Sequence, residues 1–219
     1  MKMRTQNFFI SHPRSGTQWT KRRIKAIQEW RGIVPGNRVT FSHFGYNPMT
    51  PRNPNKQRNV IGLNVTVLMR DPCALFASYY CFYNGQARKH RDRPEARSPV
   101  EFVLGDYGIS RLCSFLNDVD RVVVQDAASK NNRINYLFYE DLFNVDRFAK
   151  MMLPIMDTGR ALVGKEIEIL SKHHTMDRNA QINKYRETLT REAIDIVRDG
   201  MRSGCRLAAY RKRYLEKGD

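Results

Sequence analysis

The chain has 219 residues, of which 41% are hydrophobic, so it can bury one sizeable core and we expect a single domain over residues 1–219. Its 38 Lys and Arg against 22 Asp and Glu leave a formal net charge of +16, which favours an anionic partner such as a nucleotide, an acidic glycan, nucleic acid or a lipid head group. The four unevenly spaced cysteines fit neither a disulfide framework nor a zinc site, and no apolar run is long enough for a signal peptide or a membrane span. We therefore expect a soluble, cytoplasmic protein with reduced thiols.

The first half of the chain alternates between predicted strands and helices. A buried strand is predicted over residues 7–11 and a helix over 16–30, where apolar side chains recur near the helical period. A second strand is predicted over 38–44, and a proline-containing loop over 45–59. The run NVTVLM at 64–69 predicts a third strand that is buried on both faces. Pro72 is well placed to open the next helix, predicted over 73–83.

The second half continues this alternation. A basic run predicts a surface loop over 86–98, and Ser98 with Glu101 forms the S-x-x-E of a capping box. Residues 109–130 are predicted as mostly helix, INYLFY at 134–139 as a fourth strand, and about 190–214 as one long last helix. Strands separated by helices predict a central, mostly parallel sheet in a three-layer α/β/α fold.

Three polar stretches follow predicted strands, at the edge where open parallel sheets bind their ligands. They are HPRSGTQW at 12–19, RDPCALFASYY at 70–80 and FYED at 138–141. A strand that enters a helix through Ser15, Gly16 and Thr17 aims backbone N–H groups and a helix N-terminus at one point, which favours a phosphate. The nucleotide-hydrolase pattern G-x-x-x-x-G-K-[ST] is absent, because Gly16 is the only glycine in this loop and the cation, Arg14, precedes it.

These stretches resemble the sulfotransferases that use 3′-phosphoadenosine 5′-phosphosulfate (PAPS). PRSGTQW at 13–19 is similar to the family's first signature, P-K-S-G-T-x-W, with Arg14 in place of the lysine. RDP at 70–72 with SYY at 78–80 is similar to the second signature at the family's spacing, and YED at 139–141 and HT at 174–175 extend the resemblance over residues 6–180. The resemblance implies a P-loop nucleotide-hydrolase-like fold. It also implies transfer of a sulfuryl group from PAPS to a hydroxyl or amine, which leaves 3′-phosphoadenosine 5′-phosphate (PAP).

The resemblance also implies which residues hold the donor. The residues implied to bind it are Arg14, Ser15, Gly16, Thr17, Gln18, Trp19, Arg70, Ser78, Tyr139 and Thr175. Backbone N–H groups of the loop would bind the 5′-phosphate, while Arg14 would reach the bridging oxygen on which charge builds. Trp19 would stack on the adenine, although a tryptophan at helical spacing is also typical of a core, and Arg70 with Ser78 would bind the 3′-phosphate. The family's C-terminal Arg-Lys-Gly motif is not recognisable, and RSG at 202–204 and RK at 211–212 are its nearest substitutes.

Sulfuryl transfer needs a base that accepts the proton of the acceptor hydroxyl. In one branch of the family this base is a histidine in a Thr-His pair that ends the strand before the second signature, and Ser42 with His43 stands at the corresponding place. The resemblance therefore implies that His43 is the catalytic base, beside Arg14 as the second catalytic residue. His12 is a rival histidine, but the place before Pro13 is commonly aromatic in the family, so the resemblance implies a packing role for it.

Two other functions stay open on the sequence. A nucleotide or nucleoside kinase would have a similar fold, but it requires a lysine after a second glycine and carboxylates placed for magnesium, and neither is found. A nucleic-acid-binding module would suit the charge of +16 and the basic run at 88–97, but the aromatic residues precede that run instead of alternating with it. We therefore expect no stable nucleic-acid partner. Because carboxylates placed for magnesium are also missing, we expect no metal site. The segment between Trp19 and His43 is shorter than in the relatives that enclose small phenols, so the resemblance implies an open acceptor cleft suited to a large or anionic molecule such as a glycan.

Overall fold

The computed structural model describes residues 6–12, 15–32, 40–43, 63–89, 97–106, 108–129, 133–144, 146–148, 164–171 and 185–216. The strands are β1 (Gln6–Ser11), β2 (Thr40–His43), β3 (Leu63–Met69) and β4 (Arg133–Phe138). The helices are α1 (Thr17–Trp30), α2 (Pro72–Lys89), α3 (Pro99–Leu104), α4 (Ile109–Ser129), α5 (Gly164–Ser171), α6 (Tyr185–Thr188), α7 (Arg191–Gly204) and α8 (Ala208–Tyr214), and a 3₁₀ turn covers Tyr139–Phe143. Within these ranges, no helix has the length and apolar character needed to cross a membrane.

The chain packs into two compact units. The sheet unit is Met1–Met69 with Arg121–Met176, and the helical unit is Arg70–Asp120 with Asp177–Asp219. The expectation of one domain over 1–219 stays a prediction. Each unit has its own buried core, formed around Phe9, Leu68 and Leu137 in the sheet unit and around Phe76 and Phe102 in the helical unit.

The four described strands form one parallel sheet in the order β2-β1-β3-β4. Phe8 pairs with both Thr40 and Val65, so β1 lies between β2 and β3. The chain leaves β1 towards β2 on one side and returns to β3 on the other, which makes the carboxyl ends of β1 and β3 a topological switch point, where open α/β sheets bind ligands. The next residues along the chain after these two strands are His12 and Arg70.

The ends of two helices follow the capping chemistry that the sequence predicts. The capping box before α3 is confirmed: the Glu101 backbone N–H donates to the Ser98 hydroxyl at 3.2 Å, and the Ser98 N–H donates to the Glu101 carboxylate at 2.7 Å. At α2 the Ala74 N–H donates to the Asp71 carboxylate at 2.9 Å, and Pro72 occupies the first helical position as predicted.

Two secondary-structure predictions were wrong at their boundaries. Residues 86–89 belong to α2 instead of to a loop, because Gln, Ala, Arg and Lys are good helix formers that continue the helix past Gly85. The rest of that predicted loop, up to residue 96, lies outside the described residues. The long helix predicted over 190–214 is broken at 205–207, where the Arg206 N–H donates to the Asn117 side chain at 2.8 Å and Asn117 in turn donates to the Gly204 carbonyl at 2.9 Å. Arg211 also donates to the Cys205 carbonyl at 2.9 Å, so side chains satisfy the backbone groups that the break releases.

The cysteines agree with the expectation of reduced thiols. All four lie within described segments as free cysteines, and three of them, Cys73, Cys113 and Cys205, are buried. Burial raises the pKa of the Cys73 thiol to about 12 and that of Cys113 to about 11, so both stay protonated near neutral pH.

Candidate functional site

The loop after β1 is held tightly at its two described ends. The side chains of Ser11 and Thr17 form a buried hydrogen bond of 2.5 Å, and the Ser15 backbone N–H donates to the His12 carbonyl at 3.3 Å. His12 is 1% exposed, which agrees with the packing role expected for it. Pro13 and Arg14 lie outside the described residues. The loop thus returns the chain from β1 to the start of α1, whose first N–H groups have no acceptor within the helix.

Ser15 offers a polar group to this loop. Its side chain is completely buried, and its hydroxyl has no hydrogen-bond partner among the residues that the structure describes. A buried hydroxyl without a partner carries a desolvation cost of about 1–3 kcal/mol, so an oxyanion that binds there would remove this cost. Gln18, by contrast, is exposed on the first turn of α1.

Position 16 requires a glycine for two reasons: its backbone conformation and the nearby Tyr139 ring. It precedes α1 with a φ of 92°, in the left-handed region that favours glycine, and its carbonyl accepts from the Thr20 N–H at 3.0 Å. A Cβ at this position would lie 2.6 Å from Cε2 of Tyr139, a buried residue directly after β4. The structure therefore brings together the glycine of the first motif and the tyrosine of YED at 139–141.

Two side chains pack against the Trp19 indole. The Arg23 guanidinium lies over its indole ring, 2.9 Å from the ring centroid, and the Phe148 ring packs at 5.6 Å with a tilt of 59°. Trp19 itself is only half-buried. The residue thus combines the packing expected of a core tryptophan with the partly exposed ring that base stacking needs.

Arg23 is a residue that the sequence reasoning missed. It is 1% exposed, and burial lowers the pKa of its guanidinium to about 9. The signal that would have found it is the Trp-x-x-x-Arg spacing, because side chains four positions apart on a helix contact each other and a long side chain leans towards the helix N-terminus.

The backbone of β2 places His43 at the ligand edge of the sheet. His43 is the last residue of β2, and its Cα pairs with that of Ser11, the last residue of β1. Neighbouring strands lie about 4.8 Å apart, so the His43 backbone is adjacent to the strand end from which the loop starts. At the other side of β3, Met69 pairs with Phe138, which directly precedes Tyr139.

The YED stretch continues from β4 as a 3₁₀ turn. Asp141 is buried and accepts a hydrogen bond from Arg147 at 2.9 Å, which anchors the turn. This pairing favours a structural role for Asp141 and leaves Tyr139 as the residue of the turn that contacts the loop glycine. Thr175, also predicted to contact the nucleotide, lies outside the described residues.

In the helical unit the second motif opens α2. Arg70 is 5% exposed, and its carbonyl accepts a hydrogen bond from the buried hydroxyl of Tyr210 at 2.9 Å. Burial raises the pKa of the Asp71 carboxyl, whereas the N–H of Ala74 and the charges of Arg70 and Arg198 act in the opposite direction. Tyr210 therefore fixes the backbone from which Arg70 projects, and no sequence pattern links two residues so far apart.

Ser78 lies on α2 beside an aromatic cluster. It is half-buried, and the next residue, Tyr79, packs edge-on against Phe102 with ring centroids 5.5 Å apart. Tyr80 and Tyr83 contact the same ring at 5.7 and 5.6 Å. These contacts fix the helix face next to Ser78, and the second tyrosine of SYY at 78–80 is used for packing.

The substitutes for the missing C-terminal motif have structural partners. Arg202 pairs with Asp199 at 3.8 Å, and Arg211 donates to the Arg202 carbonyl at 2.7 Å and pairs with Glu216 at 3.5 Å. Both arginines thus stabilise the ends of α7 and α8. Within the described segments, no group of three or more His, Cys, Asp or Glu side chains is arranged to hold a metal ion.

Comparison with known structures identifies the fold. The crystal structure of mouse sulfotransferase SULT7A1 complexed with PAP matches with a TM-score of 0.57 at 17% sequence identity, over 90% of this chain and 84% of that chain. No family model and no curated protein sequence matches the chain. The likeness in three dimensions shows that the chain has a sulfotransferase-like α/β fold, and the predicted fold class is confirmed.

Proposed function

We propose that the protein is a PAPS-dependent sulfotransferase that transfers a sulfuryl group to a hydroxyl or amine of an acceptor. The observation that carries this proposal is the loop between β1 and α1. There the buried Ser15 hydroxyl has no hydrogen-bond partner among the described residues, and the next residue, Gly16, lies so close to the Tyr139 ring that a Cβ at this position would clash with it. Both features fit a cradle for an oxyanion at a helix N-terminus. The sulfotransferase-like fold and the PAP bound in the similar mouse enzyme support the same function.

Each residue of the proposed site has a distinct task. The donor supplies an activated sulfuryl group when it is bound. The Ser15 hydroxyl and the N–H groups of Gly16, Thr17 and Gln18 hold the 5′-phosphate, and Arg14 stabilises the negative charge that builds on the leaving oxygen. His43 accepts the proton of the acceptor hydroxyl from its place at the end of β2.

The remaining residues select the nucleotide. Arg70 and Ser78 bind the 3′-phosphate, which distinguishes PAPS from ordinary adenine nucleotides. Trp19 is the platform for the adenine, and Tyr139 and Thr175 contact the nucleotide. The acceptor we propose is a large or anionic molecule such as a glycan, supported by the charge of +16.

The 3′-phosphate clamp provides the test of this proposal. The protein should bind PAP more tightly than 5′-AMP, and Arg70→Ala should remove most of that difference. A charge-assisted contact to phosphate contributes about 1.5–3 kcal/mol, so PAP affinity should fall roughly 10- to 100-fold while 5′-AMP affinity stays the same. Titration calorimetry with both nucleotides measures the two affinities.

Arg206→Ala is the matched control for this test, because Arg206 is exposed in the same unit and its described contact is made by its backbone N–H. This variant should keep the preference for PAP. Equal affinity of the unmodified protein for PAP and 5′-AMP would contradict the clamp, and an Arg70→Ala protein that keeps the full preference would assign the 3′-phosphate to other residues.

A further inference from the structure

Arg23 contacts Trp19 on α1, the helix that follows the loop after β1. The two residues are one turn apart on α1, and Cζ of the Arg23 guanidinium lies over the indole at 2.9 Å from the ring centroid. Arg23 is among the largest fully buried side chains of the described residues, so its cation is held in place by its surroundings. Phe148 holds the same indole at 5.6 Å.

Burial of this cation is unfavourable by itself. Desolvation lowers the pKa of the Arg23 guanidinium to about 9, which means that the folded protein disfavours the charged form relative to water. A methionine or leucine of similar volume would fill the same space without this penalty. The position therefore gains from the cation something other than packing.

We propose that Arg23 is a positioning residue that fixes Trp19 as the platform for the nucleotide base. Its guanidinium covers one face of the indole and prevents rotation of the ring, so the base is restricted to the part of Trp19 that stays exposed. The attraction between a cation and an aromatic face supplies the holding force, and fixing a ring before binding removes its ordering cost at binding. This inference rests on the proposed function, because it takes adenine as the group that stacks on Trp19.

The test uses Arg23→Met, which keeps the length of the side chain and removes the cation. Arg22→Met is the matched control, because Arg22 is the preceding residue on the same helix and is exposed. Both variants are made in a Trp30→Phe background, so that Trp19 is the only tryptophan of the chain. The ligands are PAP and uridine 3′,5′-bisphosphate, which carry the same phosphates on different bases, and urea unfolding measures whether each variant is folded.

Two results are expected. Without ligand, acrylamide should quench Trp19 fluorescence more strongly in the Arg23→Met protein, since the cation no longer holds the indole in place. With ligand, PAP affinity should fall about tenfold and the affinity for uridine 3′,5′-bisphosphate should fall less, because the larger adenine gains more from a fixed ring. Arg23→Lys, which keeps a cation without the planar fork, should show an intermediate loss and also serves if the methionine variant does not fold.

Three other results would overturn the inference. PAP affinity equal to that of the Arg22→Met control would leave Arg23 with a purely structural role. An equal loss for both bisphosphates would assign Arg23 to a phosphate contact instead of the base platform. If the Trp30→Phe parent does not bind PAP at all, both the proposed function and the inference are contradicted. If the parent binds PAP normally and the Arg23 variants have no effect, the inference alone is contradicted.

Discussion

Replacement of His43 by alanine should lower the rate of sulfuryl transfer by about 10²- to 10⁴-fold, the usual contribution of a general base. Nucleotide affinity should stay nearly unchanged, because the base acts on the acceptor hydroxyl chiefly in the transition state. The physical reason for choosing His43 is its position: it ends β2 with its Cα paired to that of Ser11, at the strand end that leads into the loop proposed to bind the 5′-phosphate. Release of PAP from PAPS in the presence of glycans and simple phenols measures the rate, and calorimetry with PAP measures the affinity.

His12→Ala is the control for this substitution. The His12 side chain is 1% exposed and belongs to the residue whose carbonyl accepts from the Ser15 N–H, so loss of this buried side chain should lower stability or nucleotide affinity instead of acting only on the rate. A His43→Ala protein with a near-normal rate would show that another residue is the base, such as an Asp or Glu side chain near the bound acceptor. A His43→Ala protein that no longer binds PAP would make His43 a nucleotide-binding residue.

Gly16→Ala should destabilise the protein and abolish PAP binding. An alanine at a φ of 92° is strained by about 1–3 kcal/mol, and its Cβ, 2.6 Å from Cε2 of Tyr139, adds an overpacking cost of about 1–3 kcal/mol. Tyr139 is 6% exposed, so its ring has little room to move away. Either the loop or the tyrosine must shift, and both belong to the proposed nucleotide site. Urea unfolding measures the free energy of unfolding, and calorimetry the PAP affinity.

Gly32→Ala separates the two causes. Gly32 also has a positive φ, of 67°, but a Cβ there would meet nothing within 4 Å, so this variant should show the backbone strain alone. In a Tyr139→Ala background, Gly16→Ala should lower the free energy of unfolding by less than it does in the unmodified protein, because the ring is absent and only the backbone strain remains. A Gly16→Ala protein that binds PAP normally and is no less stable than Gly32→Ala would contradict the role given to this contact.

Much of the sheet is predictable from the sequence because local chemistry determines it. The β-branched run at 64–69 and the apolar run at 7–11 correspond to β3 and β1 within one residue, and the strand at 134–139 is displaced by one residue at each end. The capping box of Ser98 is equally local. Motif spacing, read together with strand ends, also places Gly16 and Tyr139 at the same edge of the sheet, and the structure brings them into contact.

The features that the sequence does not predict depend on contacts between distant residues. The break between α7 and α8 relies on Asn117, which lies on another helix, and Gly204 is the only local sign of it, because the apolar pattern continues on both sides. The Tyr210 hydroxyl that fixes the Arg70 carbonyl comes from the last described helix. Arg23 differs from these, since its contact with Trp19 is local and was visible as an i, i+4 pair on a predicted helix.

The measurement that tests the central claim most directly is calorimetry of PAP against ATP in the presence of a chelator. If the protein is a PAPS-dependent sulfotransferase, PAP should bind without magnesium and more tightly than ATP, because arginine side chains and backbone N–H groups neutralise its phosphates. The same preparation should release PAP from PAPS in the chelator when a suitable acceptor is present. Binding of ATP that requires magnesium, together with no binding of PAP, would contradict the account and indicate a kinase-like nucleotide site.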